Sequence, residues 1–244
     1  MSDYSSHFYE VIARDGDRSA EVAVPVIIDT CDPRSLIDVG CGSGNWLKVF
    51  CNHGIEDYFG VDGEWVSERQ IVLPMDRFAR VDLSKPFSFP RSFDLALSLE
   101  VAEHLPKSGA DAFISSLCRL APVIVFSAAI PGQGGTHHVN EQWPDYWAKK
   151  FSREGFQTFD FIRSQLWSHP DIQAHYAQNM LVFVREDHLP GKFPPEKSIQ
   201  DLKALRLVHP RLFTIRIDPT QYSIKGFFLK TVPNYLRARL GLLE

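Results

Sequence analysis

With 244 residues, the chain can bury a full core in one domain and still carry an appendage. A composition of 44% hydrophobic and 23% charged residues is that of a soluble globular protein, and a net charge of −4 leaves no general electrostatic footprint for nucleic acid. Four cysteines (Cys31, Cys41, Cys51 and Cys118) without paired spacing argue against a disulfide scaffold and fit reduced thiols.

The opening Met-Ser-Asp-Tyr-Ser-Ser-His is not a secretion signal, and no apolar run approaches a membrane span, so a cytoplasmic location is expected. Charge is unevenly placed. Residues 187–244 carry ten Lys+Arg against five Asp+Glu, and residues 1–186 carry sixteen against twenty-five. A basic tail on an acidic body suits either an anionic partner or a plain solvated surface.

The elements follow in order. Residues 1–17 are polar around a His7-Phe8-Tyr9 island, and 19–29 reads as a helix that buries Val22, Val26 and Ile27. Asp32-Pro33 ends it. A first strand, Leu36-Ile37-Asp38-Val39, is apolar enough for a buried parallel position. Gly40, Gly42 and Gly44 then alternate, and 45–53 reads as a helix with Trp46, Val49 and Phe50 on one face. Further strands are expected at 58–62, 78–82, 93–98 and 122–128, with helices at 111–121 and 144–154. The last two strands, 156–163 and 179–185, are expected to be joined by a loop and therefore antiparallel. Alternating β and α units imply a parallel sheet with helices on both faces.

Leu189 to Pro195 reads as a linker, which divides the chain into domains 1–188 and 189–244. Beyond it the pattern suggests a short helix at 198–207, a strand at 213–217 and a helix at 233–243. That last helix places Leu236, Leu240 and Leu243 beside Arg237 and Arg239. It either packs on the core or forms a basic amphipathic foot for an anionic membrane or a partner protein.

Strand, glycine turn and helix N-terminus form a nucleotide-binding arrangement. A dinucleotide loop would place its last glycine at position 45, where this chain has Asn45. Asp38 lies two residues before the first glycine. A carboxylate there repels a pyrophosphate and suits a cationic or amine-bearing ligand. Asp62 ends the second strand 18 residues after Gly44, where an acid can accept from ribose hydroxyls.

The segment Asp-x-Gly-x-Gly-x-Gly resembles motif I of the class I S-adenosylmethionine-dependent methyltransferases, and the resemblance covers about residues 19–186. It implies an α/β fold: a Rossmann-like, doubly wound seven-stranded sheet of order 3-2-1-4-5-7-6, last strand antiparallel, with residues 189–244 as a basic C-terminal extension. It also implies S-adenosylmethionine as cofactor. On that resemblance Asp38 holds the methionine part, and Gly40, Cys41, Gly42 and Gly44 form the loop beneath it. Asp62 and Gly63 take the ribose, Asp82 and the Leu83 backbone take the adenine, and Leu99 and Glu100 complete the wall.

After the fourth strand comes Leu99-Glu100-Val101-Ala102-Glu103-His104-Leu105. Residues i and i+3 share a face in a helical turn. Two carboxylates and an imidazole converging in a polar cleft can bind a divalent ion, Mg²⁺ through oxygens or a softer ion more readily through imidazole. A similar Glu-x-x-Glu-His arrangement occurs in some metal-dependent O-methyltransferases, where the small-RNA 2′-O-methyltransferases add a histidine after the fifth strand. Here His137 or His138 can take that place, and the metal set is written as Glu100, Glu103, His104 and His138. The competing reading has the glutamate as a helix cap and the histidine lining a metal-free pocket. His104 or His138 then serves as general base, with Glu103 beside it.

The glycine-rich segment 131–135 leads into His137, His138, Asn140, Glu141, Gln142 and Trp143, which suits an acceptor-binding lid. A second cluster, Trp167-Ser168-His169-Pro170 with Tyr176 and Asn179, reads equally as an acceptor-shaping insertion or as core. The segments Glu-Val-Ala-Glu-His-Leu and Gly-Gly-x-x-His-x-Asn-Glu-Gln-Trp-Pro look most like methyltransferases of bacterial polysaccharide and related sugar pathways. The expected activity is O-methylation of a small hydroxyl acceptor, with association through 233–243 to the inner membrane or a glycosyltransferase. Three rivals stand beside it: an RNA 2′-O-methyltransferase, a catalytically silent cofactor-binding partner of a glycosyltransferase complex, and a nicotinamide oxidoreductase.

Overall fold

Seven strands pair in the order β3-β2-β1-β4-β5-β7-β6. The computed structural model describes residues 6–189 and 192–217. Strands β1 (Ser35–Val39), β2 (Asp57–Asp62), β3 (Phe78–Arg80), β4 (Leu95–Leu99) and β5 (Val123–Ser127) run parallel. β7 (Leu181–Arg185) is antiparallel to both β5 and β6 (Phe156–Phe159). This is the sheet that the resemblance implied.

The central strands are apolar at nearly every position because both faces are covered. Side chains alternate: Leu36, Leu95, Leu97, Val123 and Val125 enter one core, and Ile37, Ala96, Ile124 and Phe126 enter the other. Helices α1 (Ser6–Cys31), α2 (Asn45–Asn52), α5 (Arg163–Leu166) and α6 (Ala174–Asn179) supply the first core; α3 (Ala110–Leu120) and α4 (Pro144–Arg153) supply the second. α2 buries Trp46, Leu47, Val49 and Phe50, each stabilising by about 1.5–3 kcal/mol. That holds the start of α2 firmly under the glycine loop.

The structure departs from the sequence pattern in several places. α1 extends from Ser6 and carries Pro25 within it. β6 stops at Phe159, because Ile162 and Arg163 turn into α5 instead of continuing the strand. The connection to β7 is two short helices rather than a loop, and Asn179 ends α6 instead of starting the strand. Residues 198–207 form one 3₁₀ turn, Leu202–Leu205. Residues 210–217 are helix α7 (Pro210–Ile217), not a strand. The expected helix at 233–243 lies outside the described residues.

The first compact unit runs to Leu207, and a second begins at Val208. The segment from 192 to 207 therefore belongs with the sheet, beyond the expected boundary at 188. Phe193 packs against Phe159 and Phe161, the Ile199 N–H donates to the Thr158 carbonyl, and Leu205 is buried. Arg163 fixes this region from inside. It is 2% exposed, pairs with Asp160 and donates to the carbonyls of Gln178 and Leu205 at 3.2 and 2.9 Å. Among the described residues no helix is long and apolar enough to cross a membrane. All four cysteines are free.

Candidate active site

The carboxyl ends of the parallel strands form one edge, where open α/β sheets bind ligands. β1 ends in the glycine loop, with Gly40 at φ +86° and Gly44 at φ +89°. A Cβ at Gly40 would lie 2.3 Å from Val101 Cγ2, and one at Gly44 would lie 2.4 Å from Leu73 Cγ. Neither position admits a side chain, by conformation or by space. The Gly40 and Cys41 N–H groups bond the Val61 carbonyl, so the loop is folded against β2. Asp62, at the tip of β2, accepts from Gly42 N–H through Oδ2 and from Gly63 N–H through Oδ1, both at 2.6 Å.

Asp38 and Asp62 are both buried on this edge, 4% and 3% exposed. Burial, and then the Asp62 charge, push the Asp38 carboxyl up to about 8. Asp62 is also raised by burial, against the two backbone donors that lower it. The Cys41 thiol is pushed up by burial and by both acids. Two acids crowded in a dry edge relax when a cation arrives. That is the electrostatic complement of an ammonium or sulfonium group.

The residues expected on the adenine side are less engaged with this edge. Leu83 is buried in the core, Leu99 is half-buried at the end of β4, and Asp82 is an exposed turn cap. Asp82 accepts from Ser84 N–H and Oγ and pairs with Lys85. The Lys85 contact, with both Ser84 donors, holds its carboxyl down at about 2.

β4 ends at Leu99, and Glu100 then takes φ +55°, the left-handed region. Its N–H donates to the Ser127 carbonyl and Oγ. The reversal throws the Glu100 carboxylate toward β5 and α6. There Gln133 Nε2 donates to Oε2 at 2.8 Å and Asn179 Nδ2 to Oε1 at 3.0 Å. Gln178 adds a bond to Asn179 Oδ1 at 2.9 Å, which closes an amide network.

The following 3₁₀ turn, Ala102–His104, carries Glu103 and His104. Val139 and Asn140 N–H both donate to the Glu103 carbonyl, which brings His138 beside His104. The two imidazoles meet edge-on, with centroids 4.9 Å apart. Ligand atoms of Glu103, His104 and His138 lie within 4.8 Å of one another.

Glu103 is 0% exposed, and neither carboxylate oxygen has a hydrogen-bond partner of normal geometry. Burial first and the Glu100 charge second raise its carboxyl far above the usual range. Burial and His138 lower the His104 imidazole. Glu103 is therefore not the helix cap of the competing reading. Glu100, expected as a fourth metal ligand, is not in the converging set, since its carboxylate is taken up by Gln133 and Asn179.

Helix α6 adds residues that the sequence leaves undecided. Trp46 meets the Tyr176 ring at 5.0 Å. The Tyr176 hydroxyl is raised by burial first and then by the charge of Glu100, with Asp38 and Glu103 adding to it. Burial lowers the adjacent His175, whose imidazole feels Glu100 and His138. By contrast, His169 serves its own turn, accepting from Asp171 N–H. Apart from the pairing of Trp46 and Tyr176 types, no signal in the sequence marks these contacts, because nothing in its pattern separates α6 from a loop.

Comparison with known proteins shows the family and the fold. A family model described as a methyltransferase domain matches residues 17–166. DesVI of Streptomyces venezuelae shares the fold at a TM-score of 0.57 and 15% identity, covering 76% of this chain and 99% of that one. The sugar N-methyltransferase KedS8 from Streptoalloteichus sp. ATCC 53650 gives 0.54 and 16%, covering 76% and 95%. Magnesium protoporphyrin IX methyltransferase from Synechocystis PCC 6803, with bound SAH, gives 0.52 and 18%, covering 76% and 90%. No curated protein sequence matches the chain.

Proposed function

Because the chain belongs to the class I S-adenosylmethionine-dependent methyltransferases, we propose that it moves the methyl group to a hydroxyl of a small acceptor, a sugar or a polysaccharide precursor. The observation that carries this is the buried, partnerless Glu103 carboxyl beside His104 and His138. A neutral amine attacks a sulfonium methyl without help, whereas a hydroxyl must lose its proton in the transition state. An acid and two imidazoles beside the cofactor edge are what a hydroxyl acceptor needs and an amine does not. KedS8 is a sugar N-methyltransferase, which supports a sugar-sized acceptor on this fold.

In this reading Asp38 and Asp62 bind and orient the cofactor through its amine and ribose. The amide network holds the wall between cofactor and acceptor. An imidazole of the His104–His138 pair takes the hydroxyl proton as the methyl transfers in line.

The same three residues fit a divalent cation. A buried carboxylate without a well-formed hydrogen bond, next to two imidazoles, is a donor set of one oxygen and two nitrogens. That set suits Mn²⁺ or Zn²⁺ better than the Mg²⁺ expected from the sequence. Bound there, such an ion would lower the pKa of a coordinated hydroxyl. Glu103, His104 and His138 would hold it, and Glu100 would stay with its amides.

The test is transfer of labelled methyl from S-adenosylmethionine to a panel of nucleotide sugars, free sugars, amino sugars and short RNA, in EDTA and in Mn²⁺. Methylation of hydroxyl sugars, lost in Glu103→Gln and His138→Ala, is the expected result. Methylation of amines alone, indifferent to both variants, would overturn the hydroxyl reading, and methylation of RNA alone would transfer it to a different acceptor class.

A further inference from the structure

Resting on the reading that His138 faces the acceptor, we infer that Glu141 is a positioning residue that fixes the His138 ring in one tautomer and presents its Nε2 to the reacting hydroxyl or ion. The segment between β5 and α4 is built around the Glu141 carboxylate. Its Oε2 accepts from Gly132 N–H at 2.8 Å, and its Oε1 accepts from Gly134 N–H at 2.6 Å. The same Oε1 lies 3.0 Å from His138 Nδ1. Both carboxylate oxygens therefore act as acceptors in this loop. An ionised carboxylate only accepts, so the hydrogen of a neutral His138 ring must sit on Nδ1. The lone pair is then on Nε2. A carboxylate on one imidazole nitrogen is the arrangement that sets the tautomer, orientation and basicity of catalytic and metal-bound histidines alike.

Gly135 supplies an independent observation. The His138 Nε2 edge lies directly over it, and a Cβ there would come within 2.3 Å of Nε2. The backbone of Gly135 is not in the left-handed region, so the constraint on this position is space at Nε2 and not conformation. A side chain at 135 would collide with this edge of the ring, at Nε2, Cε1 and Cδ2 together. The His138 and Glu141 side chains are 12% and 20% exposed, which shields their bond from water. Glu141 at i+3 and glycine at i−3 thus serve the two ends of one ring.

Imidazole ¹⁵N spectra of histidine-labelled, cofactor-free protein test this directly, with S-adenosylhomocysteine titration and methyl transfer measured alongside. The wild type is expected to show the Nδ1–H form at His138. Glu141→Ala is expected to lose that preference and to reduce transfer by about 10–100-fold, with S-adenosylhomocysteine affinity unchanged. Gly135→Ala should displace the ring at its Nε2 edge and lower transfer with S-adenosylhomocysteine affinity unchanged; this variant remains informative if the Glu141→Ala loop collapses. A wild-type Nε2–H ring, or an unaltered spectrum in Glu141→Ala, would overturn the assignment. If instead His138→Ala transfers methyl as fast as wild type, the acceptor reading fails while the tautomer result stands, so the two failures are separable.

Discussion

Replacing Glu103 by Gln should flatten the dependence of stability on pH. Glu103 is fully buried without a well-formed hydrogen bond, and its carboxyl is raised chiefly by desolvation and then by the Glu100 charge. In the folded protein it keeps a proton that the unfolded chain has already lost above about pH 4.5. The folded state then binds more protons than the unfolded one, so stability falls as pH rises. One such proton gives a slope of about 1.4 kcal/mol per pH unit. Between pH 6.5 and 8 the Glu103 share is therefore about 2 kcal/mol.

Asp38, raised to about 8, adds a slope of the same sign in wild type and variant alike. His104 and His175 are lowered, so their contributions have the opposite sign and lie below about pH 7. All of these cancel in the difference between the two proteins. The amide introduced by Glu103→Gln shifts the variant's curve vertically but adds no slope. Urea unfolding in EDTA without cofactor, at half-unit pH steps, gives the measurement. The gap between the two stability curves should change by about 2 kcal/mol across the range, with the wild type losing more. Parallel curves would mean that Glu103 is ionised in the folded protein and has found a counter-charge, which would refute the reasoning.

Other perturbations should read out separately. Gly40→Ala forces a Cβ into Val101 at φ +86°, so S-adenosylhomocysteine affinity by calorimetry should fall at least tenfold, with a loss of about 1–3 kcal/mol in stability. Asn179→Ala and Gln133→Ala each strip a donor from the Glu100 carboxylate, a bond worth about 1.5–3 kcal/mol. Each should raise the acceptor KM more than it weakens cofactor binding. Arg163→Met leaves Asp160 and the carbonyls of Gln178 and Leu205 without their donor. Urea unfolding should show a loss of about 3–5 kcal/mol, and hydrogen exchange should rise in α6 and around Leu205.

The residues expected to hold the cofactor can be picked out in the sequence because their pattern is local. Alternating glycines, an acid before them and an acid at the next strand's end are fixed by backbone constraints over a few residues. Buried strands also announce themselves by unbroken apolar runs, so the sheet can be laid out in order. The cluster proposed for the acceptor is legible only in its residue types. Glu100 and Glu103 look equivalent at i and i+3, yet a positive φ at Glu100 sends its carboxylate to Gln133 and Asn179 while Glu103 turns to the histidines.

Helix α6 escapes the sequence pattern because six residues carry too little periodicity to distinguish helix from loop, and its position depends on Arg163, buried between distant carbonyls. The boundary at 188 follows proline and glycine content, whereas burial of Phe193 and Leu205 carries the first unit on to Leu207. The run of apolar strands and helices along the chain pointed to an α/β sheet, and the resemblance of the glycine loop to motif I implied the strand order and the cofactor. Tertiary structure decided which carboxylate is buried beside the two histidines and which nitrogen of His138 meets Glu141, since both depend on groups brought together by the packing of the sheet and its loops.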